Sequence, residues 1–371
     1  MFNKKFWTTV FTLSGTIVGA GILGLPYVFS QSGFFIGVFW LIFLGIVMTI
    51  INLYFGEITL RTRKLHQLPG YAEKYIGKKG KIFSFIVMIF GIYAALIAYL
   101  IGEGQSLSKL FFGNLDYSVY FAVGFWFVMA FILRKSLKGL KKIGSYGVLA
   151  VIVIVFLIFL KFVPSVNIEN LTYVDKGNFF VPLGVVLFSM LGFTAIPELE
   201  RIQDGKKLKK AIIFGSLIPA VLYLVFTFVL VGVFGKNVQQ IATLSFGNTV
   251  TILGIFTMST AFFILSFALR DVFIFDLRKR KFVFFWVSLF PLLIYLIVSF
   301  FNLANFVSII GIGGAVSGGL TGILILLMAM KAKEEGDRKP EFSLRLNFII
   351  VGVLSLLFIA GIIFELLNFI K

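Results

Sequence analysis

Cysteine is absent from this 371-residue chain, and histidine occurs once, at His66. The first absence excludes disulfides and thiolate metal sites, and leaves the redox compartment open. The second, joined to the lack of an Asp-rich motif, removes the paired Asp or clustered His and Asp groups on which integral-membrane enzymes rely. Charge is scarce too, with Asp, Glu, Lys and Arg together at 13%. A soluble domain of this length needs a polar skin, and so few charged side chains cannot make one. The charge that exists is mostly basic, for a net +18. It falls in short clusters between apolar runs, with no basic face and no recognition motif, so nucleic acid is not the partner it indicates.

What fills the chain is apolar: 59% hydrophobic residues, 48 of them Phe, and a mean hydropathy of +1.03. A helix needs about 20 apolar residues to span the hydrocarbon layer. Eleven runs qualify, at 6–31, 33–60, 81–112, 117–133, 143–162, 179–203, 211–234, 247–275, 282–301, 304–330 and 346–370. The first follows Lys4 and Lys5 like a signal peptide, but it lacks a small-residue cleavage site and carries a glycine-rich interior ending in Pro26, so a retained helix is expected. No long polar insertion interrupts the runs, which predicts one all-α transmembrane domain over 1–371. With the N-terminus inside, 29 of the 34 Lys and Arg fall in inside segments and only Lys109, Lys161, Lys176, Lys236 and Lys371 outside. That asymmetry predicts an N-in, C-out multi-pass protein of a cell membrane.

Two runs are interrupted. The first reads Ser14-Gly15-Thr16-Ile17-Val18-Gly19-Ala20-Gly21-Ile22-Leu23-Gly24-Leu25-Pro26, and the sixth Phe188-Ser189-Met190-Leu191-Gly192-Phe193-Thr194-Ala195-Ile196-Pro197-Glu198. In each, a mid-membrane glycine (Gly21, Gly192) precedes a proline (Pro26, Pro197) by five residues. Glycine weakens a helix and lets other groups approach its backbone, while proline removes a donor. Unwound backbone at membrane depth persists only where it lines a cavity and meets a ligand. The breaks open two five-helix units, about 6–162 and 179–330, with 346–370 as an extra helix. Five is odd, so the second unit enters from the opposite side: an inverted repeat, whose interrupted helices point to a midplane binding site.

The stretch Gly19-Ala20-Gly21-Ile22-Leu23-Gly24-Leu25-Pro26 resembles the first-helix motif of the amino acid–polyamine–organocation superfamily. The run Phe193-Thr194-Ala195-Ile196-Pro197-Glu198 is similar to the sixth helix of its amino acid/auxin permease branch, which includes the aromatic amino acid permeases. The resemblance implies the leucine-transporter-like fold, with a prokaryotic plasma-membrane carrier holding an amino acid between helices 1 and 6 in an alternating-access cycle.

An amino acid offers a carboxylate and an ammonium about 3 Å apart. The half-helix beginning near Gly21 presents free N–H groups and a positive dipole end, so Gly19, Ala20 and Gly21 are expected to bind the carboxylate through backbone. A side chain at Gly21 would then occupy the carboxylate site. Carbonyls from Ser189 to Gly192, Leu191 included, are expected to receive the ammonium, and Tyr93, Phe188 and Phe193 to wall the pocket. Hydroxyls in helix 8, by resemblance Ser259 and Thr260, with carbonyls from Ser14 through Ile17 to Val18, are candidates for Na⁺. No carboxylate stands there, so H⁺ coupling stays open, and no resident cofactor or metal is expected. Glu198, just past the sixth-helix break, is a candidate for a coupling proton or an inner gate, with an ion pair to Arg201 as the plain alternative. Glu57 needs only a solvated pair with Arg61. Glu103 is placed by helix rise near the outer mouth. A gate from Lys4 or Lys5 to Asp271 follows by family likeness alone. The tenth run's Gly311, Gly313, Gly314, Gly318, Gly319 and Gly322 suit close helix packing. A nearly neutral interior favours a neutral or aromatic amino acid; a polyamine, a nucleobase or a metal ion on the same fold is the alternative. Oligomeric state is open.

Overall fold

The computed structural model describes residues 4–134, 143–203, 205–276 and 282–370. The basic clusters at 135–142 and 278–281, used above to orient the chain, lie outside them. Among the described residues the structure is helical, with no strand.

The first apolar run folds as α1 (Lys4–Ile17) and α2 (Gly21–Ser32), with axes bent by 58°. The hinge is Val18-Gly19-Ala20. Pro26 lies inside α2 rather than at the hinge. α2 passes into α3 (Phe34–Arg61) without a loop. This abrupt turn needs Gly33, whose φ of 103° a side chain would strain and whose Cβ would press on the Tyr173 backbone. A short amphipathic helix, α4 (Leu68–Ile76), occupies the segment between the second and third apolar runs; it buries Leu68, Tyr71, Ala72 and Tyr75. α5 (Lys78–Phe112) is 35 residues long, about 52 Å at the α-helical rise, longer than the roughly 30 Å hydrocarbon layer is thick. α6 (Ser118–Arg134), α7 (Ile143–Phe162) and the single turn α8 (Ile168–Thr172) follow.

The sixth run is also broken. α9 (Pro182–Ser189) ends, residues 190–192 leave the helical pattern, a 3₁₀ turn covers Phe193–Ala195, and α10 (Ile196–Ile202) resumes. α11 (Gly205–Phe234) starts six residues before the apolar stretch, because a helix can carry its lysines past the membrane surface on long stems. α12 (Asn248–Asp271), α13 (Phe290–Phe300), α14 (Phe306–Ile312), α15 (Gly319–Glu335) and α16 (Phe348–Ile370) complete the chain. The tenth run is continuous but passes through a π-helical turn at Gly313–Gly318 between α14 and α15.

Among the described residues, seven helices are long and apolar enough to cross a membrane, eight if the bent α1–α2 pair counts as one span. Shorter apolar helices at Ser118–Arg134, Val151–Ser165 and Phe285–Phe300 occupy the other expected positions. The interrupted helices lie inside the bundle: α2 packs on α9 and α14, α1 on α10 and α11, and α5 runs beside them against α12. Large apolar side chains such as Phe35, Phe127, Phe156 and Leu356 face outward, as a lipid solvent permits.

Candidate functional site

The two breaks meet. A Cβ placed on Gly21 would stand 2.6 Å from the Ser189 Cα, so the start of α2 and the end of α9 are in direct backbone contact. Opposite, Gly192 lies against the side chains of Ile17 and Leu13. At Gly21 glycine is required by the close approach of backbone, not by an unusual backbone angle; at Gly192 the neighbours are side-chain atoms.

Two tyrosines bind this junction together. The Ala20 N–H donates to the Tyr99 hydroxyl oxygen of α5 at 3.1 Å, and a Cβ on Gly19 would touch the same oxygen. From α11, the Tyr223 hydroxyl lies 2.9 Å from Ile17 O and 3.0 Å from Ser189 O. One O–H donates to one carbonyl at a time, so this hydroxyl serves a carbonyl of each break alternately. Tyr223 is fully buried and Tyr99 nearly so. Neither was singled out from sequence. A hydroxyl within an apolar run was the available signal, but it does not rank 12 tyrosines.

The other expected residues are placed as follows. Phe188 packs over Gly313 and Gly314 of the π-helical turn, Leu191 against Gly318, and Phe193 is buried beyond the break. Ser189 turns its own hydroxyl back to Val185 O at 2.7 Å. Tyr93 donates to Trp286 O at 2.9 Å and packs on Phe290. Ser14 donates to Gly215 O of α11 at 3.0 Å, and its carbonyl accepts the Val18 N–H at 2.9 Å. Ser259 donates to Glu103 Oε1 at 2.7 Å and Thr260 to Thr257 O at 2.9 Å. Thus the structure brings Gly19, Ala20, Gly21, Ser189 and Gly192 together, and turns the hydroxyls of Ser259 and Thr260 to partners other than α1. Glu103 is fully buried in the seam between α5 and α12, and its Oε2 has no hydrogen-bond partner among the described residues.

At the end of the bundle bearing Arg61, Glu198 and Arg201 are both exposed; the acidic residue of α10 with a basic partner is Glu200, 2.7 Å from Arg338. Lys4 and Lys5 are exposed, and the side chain of Asp271 lies outside the described residues. Glu57 is far from a simple solvated pair. It is 2% exposed and accepts from Arg61 at 2.9 Å, Lys333 at 3.0 Å, Ser343 at 2.8 Å and the Leu344 N–H at 2.8 Å. These bonds, with the Asp337 and Arg338 amides donating to Arg61 O, draw segment 336–347 across the ends of α3 and α10. The partners other than Arg61 lie nearly 300 residues away in sequence, which is why helical spacing alone missed them.

The junction therefore offers peptide groups and phenolic hydroxyls, with no titratable side chain of Asp, Glu, Lys, Arg or His among the residues that form it. Such a surface suits a small, net-neutral zwitterion. Among the described residues no group of His, Cys, Asp and Glu could hold a metal ion.

Comparison with known proteins gives the chain a family and a likeness of fold. A family model described as the tryptophan/tyrosine permease family matches residues 2–257. Glutamine transporter 2 of Aliivibrio fischeri is 27% identical over 239 residues, covering 62% of this chain and 61% of that protein. Tyrosine-specific transport system 1 of Haemophilus influenzae is 26% identical over 243 residues, covering 63% and 59%. The chain thus spans about three fifths of the length of these relatives. A crystal structure of MhsT in complex with L-phenylalanine superposes with a TM-score of 0.64 over 97% of both chains at 16% identity, a likeness of fold.

Proposed function

This chain belongs to the tryptophan/tyrosine permease family, and from that premise we propose that it is a secondary active transporter of neutral, including aromatic, amino acids. The observation that carries the proposal is the contact of the two broken helices where α2 begins, at Gly21, and α9 ends, at Ser189. The cargo carboxylate meets the N-terminal amides of α2, with the Tyr99 hydroxyl beside them. The ammonium meets carbonyls of residues 189–192, and Phe188, Leu191 and Phe193 border the side-chain pocket. A helix start is positive and a helix end negative, so the two breaks orient a zwitterion without formal charges of their own. The names of the relatives support amino acid cargo, and the neutrality of the junction argues against a polyamine or a metal ion.

The domain is proposed to cross the membrane eleven times, N-in and C-out, as two inverted five-helix units plus α16, in a prokaryotic plasma membrane. Alternating access then proceeds by movement of the broken helices about the junction. Coupling is to H⁺ or Na⁺.

The test is uptake by purified protein in liposomes with a panel of labelled amino acids under separate Na⁺ and H⁺ gradients. Accumulation of tyrosine, tryptophan, phenylalanine or glutamine above the equilibrium level under one gradient is expected. No uptake of any amino acid under either gradient would refute the proposal.

A further inference from the structure

The C-terminal helix α16 carries one ionisable residue, Glu365, five positions from its end. It does not face lipid. The residue is 9% exposed, and its Oε1 accepts the Gly184 N–H at 3.0 Å. Gly184 is the third residue of α9, so this N–H is one that a first helical turn leaves without an internal partner. The carboxylate also sits at the positive end of that helix, which favours it there. The space it occupies depends on two glycines. A Cβ on Gly184 would stand 2.6 Å from both the Glu365 carboxyl carbon and Gly311 O, and one on Gly311 would stand 3.0 Å from Glu365 Oε2. The glycines of α9 and α14 thus form a notch filled by a side chain from α16. Packing alone does not account for an acidic group in it, because an ionisable side chain inside a span is expensive.

What the notch holds is one end of a short rod. α9 has eight residues, about 12 Å at the helical rise, and its other end is Ser189, which touches Gly21 and offers its carbonyl to Tyr223. We propose that Glu365 is a positioning residue of the transport site. By holding the first turn of α9 against α14 and α16, it keeps residues 189–192 in register with the start of α2. The extra helix is then a working part of substrate binding, not an addition at the lipid boundary. This inference rests on the reading of the two breaks as the cargo site.

Glu365→Leu removes the acceptor at similar volume, whereas Glu365→Gln retains an acceptor oxygen. For reconstituted protein, Glu365→Leu is expected to raise the KM for the preferred amino acid about tenfold, the effect of leaving one buried donor unpaired, while Vmax per folded molecule stays within about twofold. Glu365→Gln should keep KM within about twofold of the wild type. A purely structural role would lower the amount of folded protein and leave KM alone. Amide exchange over Pro182–Ser189 should speed up in the Leu variant and not in the Gln variant. If the Leu variant does not reach the membrane, Glu365→Asp carries the same expectation, since it keeps the charge but withdraws the oxygen by one methylene. An unchanged KM in both the Leu and Asp variants, or equal rises in Leu and Gln, would overturn the proposal. A wild type that carries no amino acid would retire the transport reading separately; the exchange comparison would still decide whether Glu365 holds α9.

Discussion

Adding a single methyl group to Gly21 probes the contact on which transport depends. The ideal Cβ would lie 2.6 Å from the Ser189 Cα, and ordinary van der Waals contact begins near 3.4 Å, so the backbones must part by 0.8 Å. Ser189 cannot yield easily: it is 1% exposed, and its carbonyl and hydroxyl are both hydrogen-bonded. Forcing one methyl group into such a place costs roughly 1–3 kcal/mol, a factor of about 5 to 150 in the population of the closed junction. Gly21→Ala should therefore lower uptake by about fivefold or more, and Gly21→Val should abolish it. The reason differs from the one expected from sequence: the side chain meets the other broken helix before it meets a carboxylate. The control is Gly124→Ala in α6, where no heavy atom lies within 4 Å of the added carbon. Alanine there gains about 1 kcal/mol of helix propensity at most, so uptake should hold and thermal stability should not fall. The assay is initial uptake rate at matched protein in liposomes, with melting temperature measured in parallel. Normal transport by Gly21→Ala would refute the close approach of the two breaks as a requirement.

Tyr223→Phe removes the one hydroxyl between Ile17 O and Ser189 O, a loss of about 1–3 kcal/mol for buried acceptors left unpaired; initial uptake rate should fall at least fivefold. Tyr99→Phe takes away the acceptor of the Ala20 N–H and should raise KM about fivefold, corresponding to one hydrogen bond of about 1 kcal/mol. Glu57→Gln leaves Arg61 and Lys333 without their buried counter-charge, and a loss of about 3–5 kcal/mol should appear as a clear drop in melting temperature in detergent. On the same face, the exposed Asp337 carboxyl is held below the usual carboxylate range, first by the Lys74 ammonium and then by the Arg63 N–H. A depressed native value means that the stabilisation is present above the ordinary carboxylate pKa of about 4 and is lost as pH falls through the native one. Melting temperature should therefore decline on acidification below about pH 4, less steeply in Asp337→Asn.

The hydrophobic runs and the glycines within them made much of the scaffold legible. The bend at Val18-Gly19-Ala20 and the unwinding at 190–192 fall where local backbone chemistry put them, since a glycine-weakened helix in lipid has few other places to open. The proline half of that signal was weaker: Pro26 is absorbed inside α2, where its missing donor affects a single helical bond. The short helix Leu68–Ile76 was missed because nine residues are too few for a periodic pattern to stand out between basic residues.

By itself, then, the sequence determined the solvent, the helical class, the two interrupted segments and the neutrality of the chemistry between them, all properties of residues close together along the chain. Tertiary structure decided which groups meet those segments. Tyr99, Tyr223, Glu57 and Glu365 each find their partners across helix contacts, tens to hundreds of positions distant in sequence. Periodicity tells which face of a helix is apolar, but not which helix will lie against it, and a buried polar side chain has meaning only through the group it reaches.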